Sequence, residues 1–437
     1  MMLSNIFSYS GILSYSIVRK TLRNVTAVKQ PRTVSSVSLG HGVNEFFSVI
    51  IPPIIPLLVS DLGISYAQAG FLLTVFFLMY SIFQLPAGLL ADRIGKKRLL
   101  VAGFAGMSGA IILASVAISY EMLILAQVIS GVSGSTFHPA GMSLISDVES
   151  DETEGKAMGV FGFGGMVGTM ASPVVVGGIA VIAGWRIALA AAAVLGVIVT
   201  IVFIVVFDDE EERTGNRSEP ALGDGGRPQT IQEGFQFIRR TINVPLTSGV
   251  LILLCVTILV SIQSRAIQTF TTAYIADGAG AGTSVGNLGF FALLLGGSIS
   301  SLWAGDLADR FDRGTLGAVA GVGTAILVAA TLLVPTVAGT ATSWILLIVL
   351  SLWFFAIGAV MYACVPVKNA LISEEAEQQY SGSLFGVVQT SSAAGSAIGP
   401  SLLGAVATNW GVAAAYPAIA AISLLLAGLF GLLSLSG

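Results

Sequence analysis

Long apolar runs broken by short polar connections recur along the 437-residue chain from about residue 36 onward. A hydrocarbon layer about 30 Å thick needs about 20 such residues per crossing helix, because each backbone group must be bonded inside its own segment. The pattern predicts twelve membrane-spanning helices, over residues 36–59, 66–90, 98–119, 122–146, 156–183, 186–207, 245–275, 284–305, 314–336, 342–371, 382–407 and 411–435. One long polar stretch, rich in Gly, Pro and charge, separates the sixth run from the seventh. The expected organisation is a cytoplasmic N-terminal segment (1–35), a six-helix half (36–207), a cytoplasmic linker (208–243) and a second six-helix half (244–437). Thr230 to Arg240 is expected to lie as a surface helix on the inner leaflet. Leu3 to Val18 is apolar but rich in serine, and its basic cluster follows it, the reverse of a secretory signal. An interfacial helix, an extra short span and a misassigned start are the readings open there.

The two halves repeat. Gly88-Leu-Leu-Ala-Asp92-Arg93-Ile-Gly95-Lys96-Lys97-Arg98 follows the second run, and Gly305-Asp-Leu-Ala-Asp309-Arg310-Phe-Asp312-Arg313 follows the eighth, 309 − 92 = 217 residues later. Gly168, Ser172, Pro173 and Gly177 share their spacing with Gly395, Gly399, Pro400 and Gly404, displaced by 227, and a tryptophan follows each set, Trp185 and Trp410. A fixed offset near half the length is the mark of an ancestral duplication. Gly168, Pro173, Gly177, Gly399 and Pro400 are read as sites of close helix packing and kinking.

Composition agrees. Hydrophobic residues make up 54% and charged residues 10%, and the mean hydropathy is +0.88, which excludes a water-soluble fold of this length. Arg93, Lys96, Lys97, Arg98, Lys156, Arg213, Arg217, Arg227, Arg239, Arg240, Arg310 and Arg313 all fall in even-numbered loops, and five more basic residues precede the first span. Among odd-numbered connections Arg186 stands out. Lys and Arg are retained on the cytoplasmic side, so both termini are expected there and the plasma membrane is the expected location. Cys255 and Cys364 lie inside spans and imply neither a disulfide framework nor a metal site.

Ionisable groups inside a span are expensive, so each is a candidate for function. His41, Asn44 and Glu45 fall on one face of the first span. Glu45 lies about 15 Å from the inner end of its span, where a carboxyl takes up a proton readily, as coupling requires. His138, flanked by Phe137 and Pro139 in the fourth span, is expected at similar depth, so His41, Glu45 and His138 are the proton-coupling candidates. Arg265 lies inside the seventh span with Gln268 and Thr272 following on the same face. A guanidinium there suits a carboxylate or phosphonate, gripped through two parallel bonds, or else an ion pair with another helix. Gln84, Gln127, Tyr362 and Gln389 are candidate cavity-lining donors, with Asn44, Arg265 and Gln268. Lys368, near the inner end of the tenth span, is read as snorkelling to the interface. Gly88, Asp92, Arg93, Gly95, Lys96, Lys97, Arg98, Asp309 and Arg310 form a candidate cytoplasmic gate, held by ion pairs and released when the halves rock.

The Gly88–Arg98 phrase resembles the signature between the second and third spans of the major facilitator superfamily; the second copy has Asp312 where that pattern has glycine. The resemblance covers residues 36–435 and implies an all-α fold of twelve transmembrane helices, in two pseudo-symmetric six-helix halves around a central cavity. It implies that the first, fourth, seventh and tenth spans line that cavity, bringing His41, Asn44, Glu45, His138 and Arg265 together. His41-x-x-Asn44-Glu45 and Phe137-His138-Pro139 further resemble the fosmidomycin-resistance group of efflux proteins. That group often carries Asp at the position of Glu45, and some members carry an acid and an arginine where this chain has Ala140 and Ser143. The fifth span resembles the antiporter motif, with Ser172 in place of its glycine, and the fourth has Gln127 where many drug exporters carry arginine.

A proton-coupled exporter of small anionic or amphiphilic organic compounds, working by alternating access of its halves, is the function these features predict. A proton- or sodium-coupled importer or an anion exchanger is the alternative, and a membrane receptor ranks last, because the linker of about 36 residues (208–243) is too short for an output domain. The sequence offers no nucleophile elbow, phosphate loop or metal-ligand set, so no enzyme activity, cofactor or metal is expected. The expected partners are a small-molecule substrate and the lipid bilayer, with no nucleic acid, and the chain is expected to be a monomer.

Overall fold

The computed structural model describes residues 28–206, 247–334, 343–375 and 381–436. The segment Leu3 to Val18 and the expected surface helix Thr230 to Arg240 lie outside the described residues, as does the side chain of Asp92. The fold is all-helical. A helical segment stands at each expected span: α1 (Pro31–Ser48) with α2 (Ile55–Leu62), α3 (Tyr66–Ile94), α4 (Lys96–Ser115), α5 (Tyr120–Gly134) with α6 (Phe137–Val148), α7 (Asp151–Ala183) and α8 (Trp185–Val206) in the first half. The second half holds α9 (Ser248–Ala273), α10 (Thr283–Ala308), α11 (Arg313–Ala330), α12 (Ser343–Tyr362) with α13 (Cys364–Glu375), α14 (Ser381–Trp410) and α15 (Ala415–Ser436).

Ten helices among the described residues are long and apolar enough to cross a membrane, against the twelve expected. The fourth span falls short because it breaks at Ser135–Thr136 into two short helices. The eleventh, α14, is long enough but carries Thr390, Ser391, Ser392, Ser396 and Ser401, which lower its hydropathy. Two of those hydroxyls find partners on neighbouring helices that lipid does not supply, Ser392 with Ser261 and Ser401 with Thr74.

Interruptions fall on the first, fourth and tenth spans, and the seventh continues α9 in a π turn, Tyr274–Gly278. In the first span the cause is covalent. Pro53 has no N–H to give the carbonyl four residues back, Val49, and the hydroxyl of Ser172 donates to that oxygen at 3.0 Å. The serine that departs from the antiporter motif therefore satisfies a backbone group that Pro53 leaves without a helical donor.

Glycines set how closely helices approach. A Cβ on Gly168 would sit 1.8 Å from the carbonyl oxygen of Gly42, so α7 and α1 meet backbone to backbone. A Cβ on Gly399 would stand 2.7 Å from the oxygen of Ile262 on α9. One turn or more further along, Gly177 meets Asn287 of the other half and Gly404 meets Tyr66 and Ala67 of the other half. Pro173 and Pro400 lie inside α7 and α14. The duplicated phrases thus pack first within a half and then across halves.

The two copies of the charged turn are built differently. Gly95 enters α4 at φ +94, a conformation that favours glycine. Asp312 occupies the matching place at φ −56 and caps α11 with its side chain, accepting from Thr315 N at 2.7 Å and Ser434 Oγ at 2.6 Å. Those hydrogen bonds, the one from Ser434 foremost, hold the Asp312 carboxyl below its ordinary range.

Gly168→Ala should force α1 and α7 apart and lower the melting temperature of the detergent-solubilised protein, by about 1–3 kcal/mol of overpacking. Gly109→Ala, with no heavy atom within 4 Å, should leave melting unchanged or slightly raised. A depressed carboxyl stabilises the fold above its unfolded value, about 3.9, and loses the contribution as pH falls through its folded value. The melting difference between the native chain and Asp312→Ala should accordingly be constant between pH 6 and 8 and shrink below about pH 4.

Candidate functional site

Arg265 on α9 and Glu45 on α1 line one cavity of about 470 Å³ between the halves. Glu45 is the 15th of 32 residues of the span Pro31–Leu62, close to its middle. The cavity runs from Gln268 and Tyr362 toward Ser301 and Lys368, each about two turns from the end of its helix. Its walls are polar, with Ser261, Ser264, Ser298, Ser392 and Ser396 among the lining residues. Spans five, eight and eleven join the first, seventh and tenth in forming it, because the Gly and Ser positions of α7, α10 and α14 let them close in.

Arg265 Nη1 donates to Gln268 Oε1 at 3.0 Å, and Gln268 Nε2 donates to the hydroxyl of Tyr362. The guanidinium also sits 4.3 Å from the ring centroid of Phe77 in the opposite half. Its charge, like that of Glu45, acts on Tyr80 and His138. Arg265 is therefore a bridge between halves. Glu45 has its described partners on its own helix: Ser48 Oγ at 3.4 Å and His41 Nε2 at 3.8 Å.

Behind Glu45 lies a hydrogen-bonded group that does not line the cavity itself. His41 places Nδ1 2.8 Å from the carbonyl oxygen of Phe161, and its ring stacks on Phe161 at 3.9 Å between centroids. Asn44 donates to Gly134 O at 3.2 Å and accepts from Tyr80, whose hydroxyl also lies 2.5 Å from His138 Nδ1. His41, Asn44, Glu45 and His138 do come together, but only Glu45 of the four reaches the cavity wall. The fourth span does not line the cavity; its His138 is tied to Tyr80 of the second span behind the wall.

Three glutamines stand elsewhere. Gln127 is buried inside the first half, facing Ile50, Ser130 and Leu189, where the packing of α5 on α3 and α4 turns it from the cavity. Gln84 is half-buried one turn past Tyr80, and Gln389 is exposed one turn before Ser392; neither lines the cavity. Lys368 corrects the snorkelling reading, since it is buried and lines the cavity. Tyr80 was missed altogether: an aromatic in an apolar run carries no pattern signal until its neighbours are known.

At the end bearing the charged turns, the described ion pairs stay within each half. Lys96 pairs with Asp147 and donates to Ser143 O, while Arg313 pairs with Glu374 at 2.9 Å and Asp309 at 4.0 Å. The pairs repeat with the sequence offsets, 313 − 96 = 217 and 374 − 147 = 227. Gly88 packs on Pro139, and Arg93, Arg98 and Arg310 are exposed with Lys97 half-buried. The cross-half gate expected there is not formed by these pairs. Hydrogen bonds that join the halves among the described residues are found at the other end: Tyr66 to Asp277 at 2.6 Å, Ala67 N to Thr408 at 2.7 Å, and Thr74 to Ser401 at 2.7 Å and to Ala397 O. Arg186, the odd basic residue of its side, clamps Asp61 at 2.5 Å and Ala117 O at 3.0 Å.

Two repeats enclosing a polar cavity, joined at one end of the bundle, define a multi-pass membrane transporter. Residues 37–400 match the family described as Major Facilitator Superfamily, and the chain belongs to it. It is 26% identical over 383 residues to the multidrug resistance protein MdtG of Serratia proteamaculans (strain 568), covering 85% of each chain. It is 28% identical over 183 residues to a probable L-galactonate transporter of Escherichia coli (strain K12), a match spanning 40% of this chain and 39% of that one. In fold it is similar to a bacterial homolog of the human lysosomal transporter Spinster in an inward-facing, occupied conformation, with a TM-score of 0.74, 14% identity and coverage of 93% and 97%. None of these is a fosmidomycin-resistance protein, so they reach the superfamily and not that group.

With Cys255 and Cys364 replaced by serine, Thr74→Cys/Ser401→Cys should form a disulfide under mild oxidation, since the native hydroxyls are 2.7 Å apart. The shift in gel mobility should appear, and transport should stop until reductant is added.

Proposed function

We propose that the chain is a proton-coupled exporter of small organic compounds, anionic or amphiphilic, working by alternating access at the plasma membrane with both termini cytoplasmic. The observation that carries this is a carboxylate and a guanidinium given to one cavity by opposite halves, Glu45 and Arg265. With the charged loops inside, the joined end faces outward and the cavity is the inward-facing substrate site. The likeness to a multidrug resistance protein over 85% of each chain supports export.

Coupling depends on what the substrate offers each wall. An anionic end pairs with Arg265, with Lys368 adding a second cation nearby. If the other end is cationic or a hydrogen-bond donor, it needs Glu45 ionised, so substrate and proton exclude each other and antiport follows. A purely anionic substrate has the reverse sign: it offsets the Arg265 charge and adds a negative charge beside Glu45, which favours protonated Glu45, so substrate and proton travel together. Two cations against one carboxylate in the cavity keep this symport reading, the importer alternative, in view.

In inside-out vesicles with an acidified lumen, a substrate bearing both groups should raise the luminal pH with the native chain and leave it unchanged with Glu45→Gln. A compound that instead lowers the luminal pH would establish symport, and an undiminished response in Glu45→Gln would remove this residue from coupling.

A further inference from the structure

We propose that His41, Glu45 and His138 bind one divalent transition-metal ion of the zinc class at the cavity wall. One ligand atom from each lies within 4.8 Å of the others, and His41 Nε2 stands 3.8 Å from Glu45 Oε1. Ligand atoms about 3.4 Å apart satisfy a tetrahedral ion with bonds of about 2.1 Å. The set therefore closes by a shift of about 1 Å, within the reach of the Glu45 side chain.

The hydrogen bonds assign the lone pairs. The Phe161 carbonyl only accepts, so the proton of neutral His41 is on Nδ1, and Nε2 turns a lone pair toward a carboxylate oxygen. Two electron-rich atoms facing each other at that distance are brought to rest by a positive charge between them, a proton or a metal ion. At His138, Asn44 is oriented by donating to Gly134 O, which leaves its oxygen to accept from Tyr80. Tyr80 has one proton, so all three contacts are satisfied when His138 Nδ1–H donates to Tyr80 and Nε2 is left to coordinate.

Each imidazole thus has its outer nitrogen tied to a carbonyl or hydroxyl, the arrangement that orients metal-binding histidines. The rings are also held in place: His41 stacks on Phe161 and lies near-parallel to Phe137 at 5.8 Å, and a Cβ on Gly165 would clash with it at 2.4 Å. Two imidazoles and a carboxylate select zinc, cobalt, nickel or copper over the hard cations, and three ligands leave a coordination position open. The Glu45 charge offsets part of the ion's, while Arg265 opposes it. The sequence offers these three residues for proton coupling, but with His138 lying 138 − 45 = 93 residues from Glu45 it shows no metal-ligand spacing.

The site rests on the coupling reading only in its consequence: metal and proton compete for the same lone pairs, so zinc should inhibit coupled flux. Binding itself is testable apart from transport. The full chain, purified in detergent with a tag lacking histidine and with Cys255→Ser, should take up one Co²⁺ per chain at pH 7.5, with visible d–d absorption that Zn²⁺ displaces. His41→Gln, Glu45→Gln and His138→Gln should each weaken binding tenfold or more, with melting in chelator close to native. Tyr80→Phe should weaken it less. Substoichiometric uptake, or affinity unchanged in the three ligand variants, overturns the proposal; a variant with altered melting is replaced by the corresponding asparagine and read again.

Discussion

Backbone-to-backbone contact between glycine-bearing helices is the constraint on which the architecture rests. Lipid tails are as apolar as leucine, so helices in a membrane gain little by hiding apolar side chains from it, and close packing must do the holding. Gly168 against Gly42 and Gly399 against Ile262 bind α7 and α14 to their own halves. Gly177, Gly404 and Gly70, the last against Pro400, then bring those helices against the opposite half. A single pair of helices therefore serves both cohesion and articulation, and the cavity is the space they leave.

Duplication was the most legible feature of the sequence, and it reaches further than the motifs that revealed it. The offsets of 217 and 227 return in the ion pairs Lys96–Asp147 and Arg313–Glu374. They nearly return at the helix starts, where Glu149 accepts from Lys29 N and Gln30 N and Glu375 accepts from Thr247. Where the copies diverge, the chemistry substitutes. A positive-φ glycine at 95 and a capping aspartate at 312 make equivalent turns by unrelated means, so the mismatch with the motif does not mark a loss.

Legibility of the site was uneven for a physical reason. Intramembrane charge is rare enough that Glu45 and Arg265 could be found by counting, and both are at the cavity. Depth along a span can also be counted, but facing cannot when the neighbours are unknown and the helix is broken. Gln127 was thus expected in the cavity and lies inside the first half, while Lys368 was assigned to the interface and lines the cavity. Tyr80, which ties Asn44 to His138, needed the fold to be seen at all.

The joined end of the bundle rests on few bonds, mostly hydroxyl groups of Thr74, Thr408 and Tyr66 reaching carbonyl, hydroxyl, amide or carboxylate partners across the halves. Each such bond contributes about 0.5–1.5 kcal/mol net, because water replaces it when it opens. A latch of this kind sums to about 4 kcal/mol, the free energy of about three pH units acting on one titrating group. A proton-driven latch of this size therefore needs a titrating group whose affinity for the proton differs about a thousandfold between the two states of the bundle.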